Sequence, residues 1–354
     1  MSIPTEPVGS VPRPSYLLEA LSEAAAGRLD PVSLESTYDR AVQETIAAFE
    51  ATGSPIVTDG EQAKASFATY PLHGLANLAA DGAVIPFADG HTRQLPRLTA
   101  GPFAYGIYAG SYLTRAARFA TRPLKQAVIA PSALSLLYPA TGLPEYPRDQ
   151  FIADLVAEAA RDIRSCLDGG AVSVQLDFTE GRLAVKLDPS RGLLRQFVDL
   201  NNAVLAHFTE AERARIGIHT CPGGDHDSTH SADVDYAALL PDLFRIEAGN
   251  FFIQLASEPD RARVLALIQT HSRAAQRIFI GVTDPISARV ETAEEVAAQV
   301  EEAAPFIPLE RLGTTDDCGF SPFADDVSTA RDIAFAKIAA RVAGTALASA
   351  RLGT

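Results

Sequence analysis

Short apolar runs recur along the chain and alternate with alanine-rich stretches that carry helical patterns. Each run is short and apolar throughout, which is typical of a strand buried on both faces. Seven runs are clear and another lies near the N-terminus, and the predicted strands are Ile3–Val11, Pro55–Asp59, Lys125–Ala130, Ala171–Asp177, Ile216–Cys221, Phe251–Leu255, Ile278–Val282 and Leu312–Thr315.

Helices are predicted between these runs, over Pro147–Asp168, Pro189–His207, Pro259–Ala274 and Ala293–Ala304. Acidic residues begin the last two, as is favourable near a helix N-terminus. Alternating strands and helices predict an α/β protein with a parallel sheet. Close to eight repeats favour a single (βα)8 TIM barrel over residues 1–354. An open doubly wound sheet is the alternative, but no G-x-G-x-x-G sequence opens a helix.

A barrel of this kind places its active site at the carboxyl ends of the strands. Polar residues that directly follow each apolar run are therefore the candidates. They are Ser10, Asp59-Gly60-Glu61, Asp177, His219-Thr220-Cys221, Gln254, Asp284 and Asp316-Asp317-Cys318.

Charge and composition narrow the possible partners. Lysine and arginine number 30 and aspartate and glutamate 44, so the 354-residue chain has a net charge of −14. Nucleic-acid binding needs a basic surface, so nucleic acid is not expected as a partner. No apolar run reaches the ~20 residues of a membrane helix and no secretion signal begins the chain, which predicts a cytoplasmic protein without a membrane partner. Nothing in the sequence indicates an oligomeric state.

Three cysteines are too few for a disulfide framework, but two of them lie at predicted strand ends. Side chains two apart on a strand point the same way, so His219 and Cys221 can bind one ion. Cys318 can add a second thiolate, and one nitrogen with two sulfurs suits Zn²⁺ with a fourth position open for substrate. The alternative is three unrelated residues, since free cysteine is commonly a small buried apolar residue. Cys166, in the middle of a predicted helix, is expected to pack in the core.

Four motifs in order carry a family resemblance: Val8–Arg13, Asp59–Glu61, His219–Cys221 and Asp317–Gly319. Together the set resembles the catalytic barrel of the cobalamin-independent methionine synthase family, whose relatives include epoxyalkane:coenzyme M transferases. The resemblance covers nearly the whole chain. It implies a barrel of the uroporphyrinogen decarboxylase type, in agreement with the fold predicted from the apolar runs.

The resemblance implies zinc as cofactor, bound by His219, Cys221 and Cys318. Gln254 stands where the family has a further glutamate ligand, and a neutral amide oxygen is a weaker zinc ligand than a carboxylate. Gln254 is favoured as the fourth ligand. The alternatives are that Glu247 or Glu258 binds the zinc instead, or that only substrate fills the fourth position.

The resemblance also implies a site for the amino-acid part of homocysteine at Ser10, Glu61 and Asp177. The alternative for Glu61 is a helix-start carboxylate that follows a glycine, and the alternative for Asp177 is a cap of the loop beyond its strand. Four basic residues are possible partners of an anionic substrate and are otherwise expected to be surface charges: Arg13, Lys64, Arg182 and Lys186.

Two departures from the family concern the alkyl donor. Ile286 stands where a proton-donating histidine is expected, although Asp284 nearby is kept, and the chain has no tryptophan to stack on a pterin. Both departures argue against methyltetrahydrofolate as the alkyl donor. His226 or His230, in the polar loop after Cys221, can supply the proton instead; the alternative is a solvated loop with surface histidines.

These residues predict an enzyme that binds a small-molecule thiol and an alkyl donor. Zinc would hold the thiol as a thiolate, which attacks an electrophilic carbon. Methyl transfer to homocysteine is the first hypothesis, and epoxide opening or other alkyl transfer by a thiol such as coenzyme M is the second. A metal-free decarboxylase on the same fold and a non-catalytic zinc protein are the remaining alternatives.

Overall fold

The predicted apolar runs form a six-stranded parallel sheet in the computed structural model, which describes residues 2–354. Its order is β5-β6-β7-β10-β11-β12, and the remaining strands form three antiparallel pairs, β1 with β4, β2 with β3, and β8 with β9. The strands are β1 (Leu78–Ala79), β2 (Val84–Pro86), β3 (Thr92–Gln94), β4 (Arg97–Leu98), β5 (Lys125–Ile129), β6 (Ser173–Asp177), β7 (Ile216–Thr220), β8 (Gly224–Asp225), β9 (Ser228–Thr229), β10 (Asn250–Ile253), β11 (Arg277–Gly281) and β12 (Leu312–Thr315).

The first two predicted strands are reduced to single bridges at the two edges of this sheet. Thr5 pairs in parallel with Thr314, and Val57 pairs in parallel with Leu124. Prolines explain the shortening of the first segment, because Pro4 and Pro7 have no N–H to donate to a ladder.

The two edge segments also contact each other. Val11 N donates to Gly60 O at 3.2 Å, and Thr58 Oγ1 donates to Gly9 O at 2.9 Å. Eight chain segments thus follow one another in parallel, as a (βα)8 barrel requires. The predicted fold class is confirmed, with two strands shorter than expected.

Helices surround the sheet, and the four predicted ones are confirmed with slightly shorter ends. Asp260 caps α10, and Thr292 and Glu295 form a capping box at the start of α11. Cys166 is fully buried in α5, as expected for core packing. The helices are α1 (Ser15–Ala25), α2 (Pro31–Ala51), α3 (Gly110–Ala117), α4 (Pro131–Leu134), α5 (Arg148–Asp168), α6 (Glu180–Leu187), α7 (Gly192–Leu205), α8 (Glu210–Arg213), α9 (Tyr236–Leu243), α10 (Arg261–His271), α11 (Ala293–Ala303) and α12 (Arg331–Leu352), with 3-10 turns at Tyr70–Leu72 and Ser135–Leu137.

The last helix, α12, is long and apolar enough, by length and composition, to cross a membrane. In this structure its inner face packs on α2, α11 and β12. Arg341, fully buried on that face, pairs with Asp316 at 2.9 Å and donates to Thr5 Oγ1 at 2.5 Å. One guanidinium therefore links α12, the end of β12 and the N-terminal edge segment.

Replacing Arg341 by methionine is expected to lower the free energy of unfolding by about 3–5 kcal/mol. The change leaves the Asp316 carboxylate buried without its cation, which costs more than the loss of the pair itself. Arg351→Ala, on the same helix, removes an exposed pair with Glu294 and is expected to cost about 0–1 kcal/mol. Urea unfolding followed by circular dichroism measures both, and equal losses would contradict the role given to Arg341.

Candidate functional site

The carboxyl ends of β7 and β12 bring together three side chains with metal-binding atoms. His219 lies on β7, Cys221 is the first residue after that strand, and Cys318 follows β12. One ligand atom from each lies within 4.8 Å of the others, and the two Sγ atoms are 3.3 Å apart. The sequence-predicted triad is therefore assembled at one end of the sheet.

The chemistry of this cluster fits a metal ion. His219 is 2% exposed, and neither ring nitrogen has a hydrogen-bond partner within residues 2–354. A buried polar atom without a partner costs about 1–3 kcal/mol, which a bound ion at one nitrogen would offset. The neighbouring Cys221 thiol and burial raise the pKa of Cys318, so two adjacent thiolates need a cation. One imidazole and two thiols form a donor set that suits Zn²⁺.

Asp317 fixes the position of the third member of the cluster. Its carboxylate accepts hydrogen bonds from the backbone N–H groups of Leu255, Ala256 and Ser257, each at 2.8 Å. Burial raises the pKa of Asp317 to about 6, although these hydrogen bonds oppose the shift. The residue before Cys318 is thus tied to the loop after β10. Sequence reasoning included Asp317 among the strand-end candidates but did not find this role.

Ser10, Glu61 and Asp177 line one narrow pocket together with His219 and Cys318. Asp177 lies directly opposite His219 in the β6–β7 register. A Cβ atom at residue 319 would lie 2.1 Å from Ser10 Oγ, so a glycine is required where the N-terminal segment meets the Cys318 loop. The structure therefore brings the predicted substrate residues beside the predicted metal ligands.

Glu61 projects from a backbone in the left-handed region, with φ of 57°. Arg13 stabilises this conformation by donating to the Glu61 and Lys64 carbonyl oxygens, both at 2.8 Å. Lys64 Nζ is 3.0 Å from Glu61 Oε1, and both side chains are almost fully buried. Burial raises the pKa of Glu61, with Lys64 opposing the shift. The helix-start alternative for Glu61 does not apply, because the next helix is a 3-10 turn beginning at Tyr70.

The basic residues that were expected on the surface are largely buried. Arg13, Lys64 and Arg182 are 5%, 2% and 1% exposed, and only Lys186 remains partly exposed, paired with Asp233. The expectation of surface charges was wrong for three of the four, because distant acids and carbonyl groups neutralise and solvate them inside the fold.

Asp177 accepts one hydrogen bond, from Gln175 Nε2 to Oδ1 at 2.7 Å. Burial raises the pKa of Asp177, while His219 opposes the shift. Asp177 lines the pocket that it shares with Glu61, and within residues 2–354 its carboxylate accepts no hydrogen bond from the loop after β6, so the loop-capping alternative does not apply.

Gln254 has protein partners at both ends of its amide. Its Oε1 accepts from Arg182 at 3.0 Å and from Tyr236 at 3.2 Å, and its Nε2 donates to Ser257. Glu258 Oε1 is 2.6 Å from the Arg182 guanidinium. Glu247 is exposed and precedes β10, at the end of the sheet away from the cluster. Glu258 is therefore engaged by Arg182 and Glu247 is remote, whereas Gln254 borders a small pocket together with Cys318.

The predicted proton donors lie in different surroundings. His226 Nε2 is 3.1 Å from the Arg93 guanidinium, and His226 Nδ1 is 3.8 Å from Asp326 Oδ1. Together with Asp225 and Asp326, His226 forms a second group of side chains that could hold a metal ion. His230 is 7% exposed, and burial lowers its pKa to about 4, so it is neutral at pH 7. Asp284 accepts from Ile286 N at 3.0 Å and borders a small pocket with Gln254 and Cys318.

A hairpin that sequence reasoning missed covers this end of the barrel. Arg93, on β3, binds the buried Asp225 carboxylate at 2.5 and 3.0 Å and the Asp325 carboxylate at 2.9 Å. Ala88 N also donates to Thr229 O at 2.9 Å. The β2–β3 hairpin is thus fastened to the loops that follow Cys221 and Cys318. A basic residue in a polar hairpin gives no sequence signal of its distant partners.

A larger cavity of about 400 Å³ lies beneath this hairpin. Its wall is mostly apolar, with aromatic rings from Phe67, Phe87 and Phe323. It shares the lining residues Phe67, Thr179, Gly223 and Gly224 with the narrow pocket at the cluster. The cavity and the narrow pocket, which His219 and Cys318 border, therefore adjoin at these four residues.

Comparison with known proteins shows the family to which the chain belongs. Residues 3–340 match the family described as "Cobalamin-independent synthase, Catalytic domain". Proteins named methionine synthase from Sulfurisphaera tokodaii and Sulfolobus acidocaldarius are 22% and 23% identical, over 97% of this chain and 91% of each relative. Two solved structures share the fold: a B12-independent methionine synthase from a Shewanella species in complex with selenomethionine (TM-score 0.79, 18% identity, 99% of both chains) and a putative vitamin-B12 independent methionine synthase from Listeria monocytogenes (TM-score 0.74, 19% identity, 98% of both chains). The chain belongs to the cobalamin-independent synthase family, in its catalytic domain.

Proposed function

We propose that this chain is a single catalytic barrel that transfers a methyl group to homocysteine and depends on zinc. The observation that carries the proposal is the convergence of His219, Cys221 and Cys318 at the pocket lined by Glu61 and Asp177. Relatives named methionine synthase, similar over nearly their whole length, support the same reaction.

The triad would hold the metal through one neutral imidazole and two thiolates. A free thiol has a pKa of about 8.5 and is mostly protonated at neutral pH. Bound zinc supplies the missing activation, since it lowers the pKa of a coordinated thiol and keeps it as a thiolate. The protein's part is to orient the donor atoms, which Asp317 does for Cys318 through its hydrogen bonds to the β10 loop.

The narrow pocket suits the amino-acid end of homocysteine. Asp177 has an oxygen without a protein donor facing the pocket, so it is the primary partner for the substrate ammonium group. The ion pair with Lys64 offsets the cost of burying the Glu61 carboxylate. Glu61 can then accept a second hydrogen bond from the substrate. Ser10 Oγ accepts from Ser321 N at 3.3 Å and keeps its own hydrogen to donate to the substrate carboxylate.

Transfer to another thiol is the second candidate. The chain has no tryptophan and has Ile286 where a histidine is expected, which argues against a folate methyl donor. A thiol that bears a sulfonate, however, would bring a negative charge beside Glu61 and Asp177 and gain no ammonium contact. These two buried acids therefore favour homocysteine as the thiol, whatever the donor. A metal-free decarboxylase would leave the converging donor atoms of the triad without a role.

Zinc content is the first test of the proposal. The purified protein is expected to hold about one zinc per chain, as a site with one imidazole and two thiolates predicts. Cys221→Ala and Cys318→Ala are each expected to weaken zinc affinity by more than about 100-fold, since loss of a mere supporting partner costs about 10–100-fold. Elemental mass spectrometry after dialysis against a graded chelator measures the affinities.

Cys166→Ala is the matched control for these variants. It removes the third cysteine, which is buried in α5 away from the cluster, and is expected to retain zinc. Full zinc retention by both cluster variants, or no zinc in the unmodified protein, would refute zinc dependence.

Homocysteine binding tests the role of the acids. Asp177→Asn is expected to weaken homocysteine binding by about 10–100-fold, because a hydrogen bond to a charged group contributes about 1.5–3 kcal/mol. Binding of the desamino analogue of homocysteine, which has no ammonium group, should change less than about twofold by the same reasoning. Calorimetry of the zinc-loaded protein gives both dissociation constants. Equal weakening of the two ligands would show that Asp177 acts on the pocket's shape and not on the ammonium group.

A further inference from the structure

The cavity beneath the β2–β3 hairpin contains ionisable side chains that no part of the proposed function uses. Four ionisable residues line the cavity: Arg93, Glu180, His230 and Asp325. Glu180 is the first residue of α6 and is 5% exposed. Its neighbour Thr179 lines both the cavity and the narrow pocket at the cluster. Glu180 therefore lies on the cavity wall next to the compartment in which the thiol would react.

We propose that this cavity holds a neutral, largely apolar alkyl donor and that Glu180 is the acid that protonates the donor's leaving atom. The inference rests on the proposed function, because it takes the nucleophile to be a thiolate at the His219, Cys221 and Cys318 cluster. It goes beyond that function by assigning the donor's chemical class and the missing proton donor.

The hydrogen bonds of Glu180 leave one oxygen without a partner. Asn201 Nδ2 donates to Ser132 Oγ at 2.8 Å, so the Ser132 hydroxyl hydrogen is directed to Glu180 Oε1. Oε2 is buried and has no hydrogen-bond partner within the described chain, residues 2–354. A carboxylic acid with its proton on Oε2 would therefore hold that proton without a protein acceptor, on a residue of the cavity wall.

The surroundings of Glu180 keep this carboxyl group protonated. Burial raises its pKa to about 8, the hydrogen bond from Ser132 opposes the shift, and the Asp177 carboxylate adds to it. No charged side chain forms an ion pair with Glu180 in residues 2–354; the charged groups on the cavity wall, Arg93 and Asp325, bind each other.

The other three ionisable residues of the cavity are poor acids for this step. His230 has a pKa lowered to about 4 by burial and carries no extra proton at neutral pH. Hydrogen bonds from Arg93 lower the pKa of Asp325, which is therefore ionised. The Arg93 guanidinium is held by Asp225 and Asp325. Glu180 is the one cavity group that both carries a labile proton at pH 7 and has a free oxygen.

The cavity wall also indicates the class of donor. Aliphatic and aromatic side chains make up most of it, including Ile85, Leu95 and Leu183. Its single cation, Arg93, is already neutralised by two acids. An anionic donor would find no free positive charge there, whereas a neutral apolar one would gain by leaving water.

The chemical step balances without a further reactant. The thiolate sulfur forms a bond to the alkyl carbon, and the bond between that carbon and the leaving atom breaks. The leaving atom keeps the electron pair and takes the proton from Glu180 Oε2. Glu180 regains a proton from solvent when the products leave.

Two neutral probes that differ only in their need for a proton test this role. Epoxypropane releases an alkoxide that must be protonated, whereas methyl methanesulfonate releases a weakly basic sulfonate that needs no proton. Glu180→Gln keeps the side chain's size and its hydrogen bond from Ser132 but has no acidic proton. We expect this variant of the zinc-loaded protein to lose about 100-fold or more in the rate of homocysteine alkylation by epoxypropane. Its rate with methyl methanesulfonate should remain within about twofold, because general acid catalysis is not needed there.

Glu158→Gln is the matched control. Glu158 is a buried glutamate of α5, bonded to Tyr105 N at 3.0 Å and absent from the cavity wall. Its replacement should leave the ratio of the two rates unchanged. In the unmodified protein the same ratio should fall about tenfold per pH unit above pH 8, since only the protonated acid is active; this measurement requires no variant.

Each result decides between the possibilities. Equal losses with both probes would make Glu180 a structural residue, and no loss with either would remove it from the reaction. Failure of the unmodified protein to use either probe while it still binds zinc and homocysteine would overturn the cavity assignment alone. Failure to bind zinc and homocysteine would refute the proposed function itself.

Discussion

The carboxylate of Asp317 makes the contact on which the candidate site depends. Two members of the triad lie close together in the chain, His219 on β7 and Cys221 directly after it. The parallel register alone places both at the carboxyl end of the sheet. Cys318 follows β12, which lies three positions from β7 in the sheet, so it needs a separate constraint. The Asp317 hydrogen bonds to three consecutive N–H groups after β10 provide it, because they fix the chain one residue before the thiol.

Much of the fold could be predicted from the sequence because buried parallel strands are short apolar runs whatever lies beside them. The β5–β7 and β10–β12 segments follow this rule closely. The first two strands do not, and in the first of them Pro4 and Pro7 remove backbone donors that periodicity does not take into account. The His219-x-Cys221 spacing was informative for the same reason as the strands: side-chain direction is local, and so it is readable from the sequence.

Other parts of the site could not be predicted because they depend on partners far away in the chain. Arg93 binds Asp225 and Asp325, which lie more than a hundred residues further on. Lys64 and Arg182 resemble surface charges until the fold supplies Glu61 and Glu258 beside them. A single sequence contains the charges but not their pairing, and pairing decides whether burial is tolerable.

The paired charges also explain how one barrel end can offer two unlike compartments. Glu61 and Asp177 place two acids on the wall of the narrow pocket, which suits the ammonium group of a zwitterionic thiol. The β2–β3 hairpin, held by Arg93, closes an apolar space beside it without leaving a free charge inside. A charged substrate therefore loses solvation without compensation in the cavity, whereas a neutral one gains nothing from the acids of the pocket. In the proposed reaction this difference in desolvation favours the thiol in the narrow pocket and the alkyl donor in the cavity, and the two compartments meet at Gly223 and Gly224.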